Sequence, residues 1–183
     1  MKKIALTLLG ILATSSVAAA QDETLVSGGL ESGGFGAPVV KFSDVGGDFA
    51  VFVGGRGGWI INHTFVLGAG GYGLASNIGE SPFVREVEFG YGGLELEYIN
   101  RSDKIFHFSI YTLIGGGGVT SLFDVADGVF VLEPVVNLMV NVTKWFRVGA
   151  GGGYRFVSGA DQDLSNGDLS AFVGVLTFKF GGF

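Results

Sequence analysis

The sequence contains no cysteine, three prolines and two methionines, and only 15% of its 183 residues are charged. Without cysteine there is no disulfide framework of the kind that staples small secreted folds. So little charge, on a chain whose mean hydropathy is +0.49, excludes a disordered polymer. Basic charge is scarce too. The formal net charge of −6 argues against a nucleic-acid binder, which needs cationic surface to neutralise phosphates. Credible membrane helices are also missing. Gly57–Gly79 and Ile105–Phe123 carry no formal charge, but the first holds seven glycines and the second the run Gly115–Gly118. Each glycine costs a helix interior about 1 kcal/mol relative to alanine.

What is present in excess is glycine, 34 residues, clustered and not repeated in threes as a collagen helix requires. Residues 1–20, MKKIALTLLGILATSSVAAA, form a secretory signal peptide: Lys2 and Lys3, an apolar run from Ile4 to Ala13, then small residues before a cleavage site preceding Gln21. Its removal takes away two lysines and Gly10. It leaves one domain over residues 21–183, with 33 glycines and a net charge of −8.

Hydrophobicity in that domain has period two. Phe106, Phe108, Ile110, Thr112 and Ile114 alternate with His107, Ser109 and Tyr111. Phe130, Leu132, Pro134, Val136, Leu138, Val140 and Val142 alternate with a face carrying Glu133, Asn137 and Asn141. Alternation of this kind is the mark of strands with two different environments. Cutting at turn-formers predicts eight strands between about residues 33 and 180: Gly33–Ser43, Phe49–Ile61, Thr64–Ala75, Glu86–Ile99, Lys104–Val119, Val129–Val142, Trp145–Val157 and Asp168–Phe180. Links two, four and six are short, and links three, five and seven are long. An even number of strands with short turns at one end and long loops at the other is the organisation of an up-and-down antiparallel transmembrane β-barrel.

That arrangement predicts aromatic girdles at both interfaces: Trp59, Tyr98 and Trp145 at the short-turn end, and Tyr72 and Tyr154, with Phe89 and Tyr91, at the loop end. It also predicts a polar interior network of Lys41, Arg56, Glu95, Glu97, His107, Glu133, Arg147, Arg155 and Lys179. Both signs then sit close enough to pair, with glycines next to Arg147 and Arg155 leaving room for the long side chains. Two phase conflicts remain. Pro134 inside a closed ring predicts a bulge near Glu133–Pro134, and the change of apolar phase at Gly92–Gly93 predicts a glycine bulge. The loops are acidic: Asp44, Asp48, Glu80, Glu86, Asp124, Asp127, Asp161, Asp163 and Asp168 face one base, Arg85. Solvation explains them, and divalent cations bridging to lipopolysaccharide are the alternative.

The signal peptide, the eight alternating segments, the short–long connections and the terminal aromatic together resemble the small eight-stranded outer-membrane β-barrel proteins of Gram-negative bacteria. The phrases GGRGGW (Gly54–Trp59), GYGGLELEY (Gly90–Tyr98) and LTFKFGGF (Leu176–Phe183) are similar to members from Bacteroidota-type envelopes. The resemblance implies residence in the cell outer membrane with both termini periplasmic, contact with its lipid and lipopolysaccharide, and a monomer without cofactor or metal. It further implies that Phe178, Phe180 and Phe183 form a C-terminal signal read by the outer-membrane assembly machinery. Phe183 follows Gly181–Gly182 in the opposite phase to the other two. The function implied is non-enzymatic, structural or surface-interacting, with a side-chain-plugged lumen; a narrow passive porin-like channel is the alternative.

Three motifs point elsewhere. Gly68–Gly73 matches G-x-G-x-x-G, but no helix follows to receive a pyrophosphate. Asp161, Asp163 and Asn166–Asp168 are spaced somewhat like a calcium loop, with the glycine one place late and no terminal glutamate. His107-Phe108-Ser109 resembles the His-x-Ser arrangement of outer-membrane lipid A deacylases, a remote hydrolase reading. In it His107 would activate Ser109, but the nearest downstream acid is Asp124, in the next loop.

Overall fold

A computed structural model describes residues 31–76, 88–120, 127–160 and 165–183. The signal peptide, Glu80, Arg85, Glu86, Asp124, Asp161 and Asp163 lie outside the described residues. Eight strands follow in order: β1 (Ser32–Val45), β2 (Asp48–Ile61), β3 (Phe65–Leu74), β4 (Glu88–Asn100), β5 (Phe106–Thr120), β6 (Asp127–Asn141), β7 (Phe146–Ser158) and β8 (Ala171–Gly182), with a short helix α1 (Asn166–Leu169) before the last. Each strand pairs antiparallel with the next, and β8 pairs with β1 to close the barrel. The ring is an all-β up-and-down meander, as the connection pattern predicts. Strand ends differ from the sequence reading by about three residues at most, within the spread expected of such boundaries. Helix α1 takes the place of the end of the last predicted link and the first two residues of the predicted eighth strand.

The turns are set locally. Asn62 and His63 link β2 to β3 with φ of 50° and 54°, and Thr64 N–H donates to Ile61 O at 3.1 Å. Two successive left-handed residues closed by that hydrogen bond make a type I′ turn, whose twist matches that of the flanking strands, and Thr64 completes the three-residue link. Gly46 and Gly47 do the same for β1 and β2, with φ of 63° and 88°. That link lies at the same end as the long loops and is the one short connection there.

Neither predicted bulge forms. Pro134 pairs with Thr112 on β5 in unbroken register, and on β7 the ladder skips Glu133 and Pro134, then resumes at Val135–Gly153 without a shift. The proline therefore costs two bridges on one side and no register. Pairing of β4 with β3 and β5 is likewise continuous through Gly92 and Gly93. Its odd residues point inward throughout. What reads as a phase change is a change of chemistry along one inner face, from Phe89 and Tyr91 to Glu95 and Glu97.

Candidate functional site: the barrel interior and its outer belt

Inward positions from the eight strands line the barrel interior, and they form three zones. Toward the loops lies an apolar cluster that includes Phe52, Phe89, Tyr91, Val131 and Leu169; toward the short turns lies a smaller one of Phe35, Ala37, Ile60, Val66 and Ile99. The nine predicted interior residues lie between and beside these clusters, and none is more than 7% exposed. Tyr72, Phe89 and Tyr91 belong to this interior and not to the girdle. Tyr72 is 4% exposed and its hydroxyl donates to Glu95 at 2.8 Å. In a ring this small, the inner face must be packed like any protein core, so an inward aromatic is as natural as an outward one.

The charged groups meet across the ring. Lys179 on β8 donates to both oxygens of Glu97 on β4, at 2.6 and 2.7 Å, linking strands on opposite walls. Arg56 on β2 pairs with Glu95 at 2.5 Å and Glu97 at 3.0 Å. Lys41 on β1 pairs with Glu133 on β6 at 2.5 Å, and the Tyr91 hydroxyl donates to the same carboxylate at 2.6 Å. Pairing of opposite signs is not universal, however. The interior holds five cations against three carboxylates, and among the described residues Arg147 and Arg155 have no carboxylate partner. The Arg147 guanidinium lies 3.9 Å from the centre of the Phe183 ring. Arg155 lies over Phe52 at 4.8 Å and donates to the carbonyls of Leu169 at 2.9 Å and Asp44 at 3.1 Å. Aromatic faces and carbonyl dipoles stand in for acids here.

The glycines of β7 do not shelter the arginines. A Cβ added at Gly149 would meet the Met139 sulfur, one at Gly151 the Asn137 side chain, and one at Gly153 a Val135 methyl at 2.7 Å. The room they leave is taken by β6 across the ladder. At the loop end, α1 folds back over the mouth: Leu169 is fully buried, Val157 N–H donates to Ser170 Oγ at 2.9 Å, and Gly46 N–H donates to Asp168 O at 2.8 Å. Ser165 caps this helix. Its hydroxyl and its backbone N–H both donate to the Asp168 carboxylate, at 2.7 and 2.9 Å, and hold it below the ordinary aspartate value. A depressed carboxylate value means that the cap is intact at neutral pH and is lost as pH falls through that value. NMR titration is expected to give Asp168 a lowered pKa that returns to the ordinary value in Ser165→Ala.

His107 and Ser109 share a face but not a hydrogen bond. His107 Nδ1 contacts Lys104 O at 3.2 Å, and Ser109 Oγ is buried with no hydrogen-bond partner among the described residues. No nucleophile–base contact exists there. Among the described residues, no group of three or more His, Asp and Glu is placed to hold a metal ion.

The outer surface is apolar where a soluble protein would be polar. Leu67, Leu94, Leu96, Ile110, Ile114, Val136 and Leu138 are all exposed. Trp59, Tyr98 and Trp145 are exposed at the short-turn end, and Trp145 joins Phe146 and Phe180 in a stack with ring centres 4.7 to 6.1 Å apart. At the loop end Tyr154 contacts Phe156 at 4.6 Å and Phe172 at 5.1 Å. Phe178 and Phe180 face outward, whereas Phe183 packs against the inner cluster near the short turns. No helix among the described residues is long and apolar enough to cross a membrane.

A closed ring of eight antiparallel strands with an apolar exterior and ion pairs across its interior is the architecture of the small eight-stranded β-barrels. Among solved structures, the chain is similar to Neisserial surface protein A (TM-score 0.60, 12% identity, covering 85% of this chain and 99% of that one). It is similar as well to the N-terminal β-barrel domain of Pseudomonas aeruginosa OprF (0.62, 10%, 84% and 99%) and to Ail, the attachment invasion locus protein of Yersinia pestis (0.51, 13%, 82% and 96%). At these identities the likeness is one of fold. No protein-family model matches the chain, and no curated protein matches it.

Proposed function

We propose that this protein is a non-enzymatic integral protein of the Gram-negative outer membrane, with a lumen closed by its own side chains and a structural or surface-interaction role. The observation that carries the reading is the Lys179–Glu97 pair, which spans opposite walls of the ring inside an apolar outer belt. Water is replaced by lipid outside, so the exposed leucines and valines need no further cover, and closure of the sheet satisfies the backbone. Both termini lie with the short turns on the periplasmic side. The outward alternation of Phe178 and Phe180 suits recognition by the assembly machinery, and Phe183 contributes as an interior plug residue. Asp48 and Asp168 face the outside of the cell with the loops and are solvated there, with divalent cations shared with lipopolysaccharide as the alternative. The glycine-rich phrases around Trp59 and Tyr98 are read as those of a Bacteroidota-type envelope.

A passive channel would need a continuous water path along the inner glycines, and on β7 that path is occupied by Met139, Asn137 and Val135. Refolded protein in planar bilayers is expected to give no unitary conductance. Reproducible steps whose selectivity changes in Arg147→Ala would reject the plug and establish the channel. Absence of a heat-dependent gel shift after refolding would reject the membrane barrel altogether.

A further inference from the structure

The seam that closes the ring is incomplete at the loop end. Pairing of β1 with β8 skips Ala37 and Pro38, resumes at Val39–Thr177, and stops at Phe42–Gly174. Beyond that point the two strands are joined by a side chain, Ser43 Oγ donating to Phe172 O at 2.9 Å. On the outer surface over this opening lies a trough of about 1000 Å³. Its floor is backbone at Gly152 and Gly174, which face each other across β7 and β8. One wall is Phe42 stacked on Phe49 with ring centres 6.3 Å apart, and the other is Tyr154 with Phe172 edge-on at 5.1 Å. Only the loop end is polar. Asp44 stands there among the lining residues, none of which is basic; its carboxylate accepts from Gly47 N–H at 2.9 Å, and its backbone carbonyl, turned to the interior, accepts from Arg155.

We propose that this trough holds one acyl chain of an amine-bearing membrane phospholipid, whose ammonium group meets Asp44. The inference rests on the membrane reading above, since it takes the outer belt as a lipid contact with which the trough is continuous. Three features select the occupant. The cleft is apolar along its length and polar at one end, as a lipid is. Its polar end is a carboxylate with no ion-pair partner among the described residues, so the complement is a positive head group. The aromatic walls favour that same charge. A head group with phosphate and no amine brings negative charge to Asp44, and lipid A brings two phosphates.

The glycine floor makes the site testable without disturbing the fold. A Cβ at Gly152 or Gly174 would meet no atom nearer than 3.6 Å, so leucine at both positions fills the trough from below. Delipidated protein in detergent is exposed in turn to phosphatidylethanolamine, phosphatidylglycerol and lipid A, and retained lipid is counted by native mass spectrometry. One phosphatidylethanolamine is expected to be retained. The Gly152→Leu/Gly174→Leu pair is expected to weaken its retention about tenfold, the effect of losing contact for roughly two methylenes. Asp44→Asn is expected to erase the preference over phosphatidylglycerol while leaving the trough open. Gly71→Leu, on the far side of the ring where an added Cβ meets nothing within 4 Å, is expected to change nothing. Equal retention of all three lipids, preference for lipid A, or undiminished phosphatidylethanolamine on the filled variant would overturn the proposal. If the filled pair lacks the heat-dependent gel shift, Phe172→Ala, which opens one wall, takes its place with the same expected loss. Failure of the unaltered protein to show that shift would count against the membrane reading instead.

Discussion

Gly115→Val will prevent this chain from forming a heat-modifiable barrel, and Gly115→Ala will lower its stability by about 1–3 kcal/mol, the cost of overpacking a site that cannot relax. Gly115 on β5 and Gly93 on β4 are register partners on the inner face. A Cβ on either glycine would lie 2.6 Å from the Cα of the other and would overlap a backbone carbonyl, that of Gly92 or of Ile114. Backbone cannot step aside as a side-chain tip can. The concave inner wall of a narrow ring brings these strands too close for any side chain. The contrast is on the outer face of β3, where Gly71 has open space around a Cβ. There Gly71→Ala is expected to be neutral or to stabilise by about 0.4–1 kcal/mol through the unfolded state. Urea titrations of detergent-refolded variants check both, as a midpoint that falls for Gly115→Ala and holds or rises for Gly71→Ala. Equal shifts would show that the two faces of the ring are not sterically different.

The second large effect belongs to Glu97. It accepts from Lys179 and Arg56 at once, and all three side chains are within 2% of complete burial. Glu97→Gln therefore leaves two buried cations with one fewer counter-charge, a change that costs about 3–5 kcal/mol where a single partner of a buried pair is removed. The loss is expected to be largely reversed by adding Lys179→Met, because replacing both members of a buried pair by uncharged groups of similar size is often neutral or stabilising. Arg56 then keeps Glu95 as its partner. A double-mutant cycle on unfolding free energy measures this directly. Additive losses would mean that Lys179 and Glu97 are not coupled across the lumen.

The two effects differ in how far they can be read from residues alone. That Glu97 and Lys179 are interior follows from their phase against Leu96, Tyr98, Phe178 and Phe180. That they bond to each other does not, because they come from strands 82 residues apart and the choice of partner is a property of the closed ring. Arg155 is the clearest case. Its interior position follows from alternation, but its partners are two carbonyls and a ring face, groups that carry no sequence signature. Tyr72 shows where the pattern misleads. Aromatics are common both at membrane interfaces and in packed interiors, so residue type cannot choose between them, and phase within β3 can. The same reasoning applied strictly to β4 would have kept Phe89 and Tyr91 on the face of Glu95 and removed any need for a bulge.

Local chemistry determined much of this protein by itself. Period-two alternation gave each strand two faces, Asn62–His63 and Gly46–Gly47 fixed tight turns through their left-handed backbones, and the count and spacing of connections implied a meander that closes. Those features depend on neighbours in the chain, so the chain is enough to read them. Closure supplied the rest. Bringing β8 against β1 put Lys179 opposite Glu97, laid the side chains of β6 over the glycines of β7, drew α1 over the mouth, and left the seam open above Phe42 and Gly174. Each of these joins residues that the sequence keeps far apart, at distances set by the radius and register of the ring, and only the folded ring holds that information.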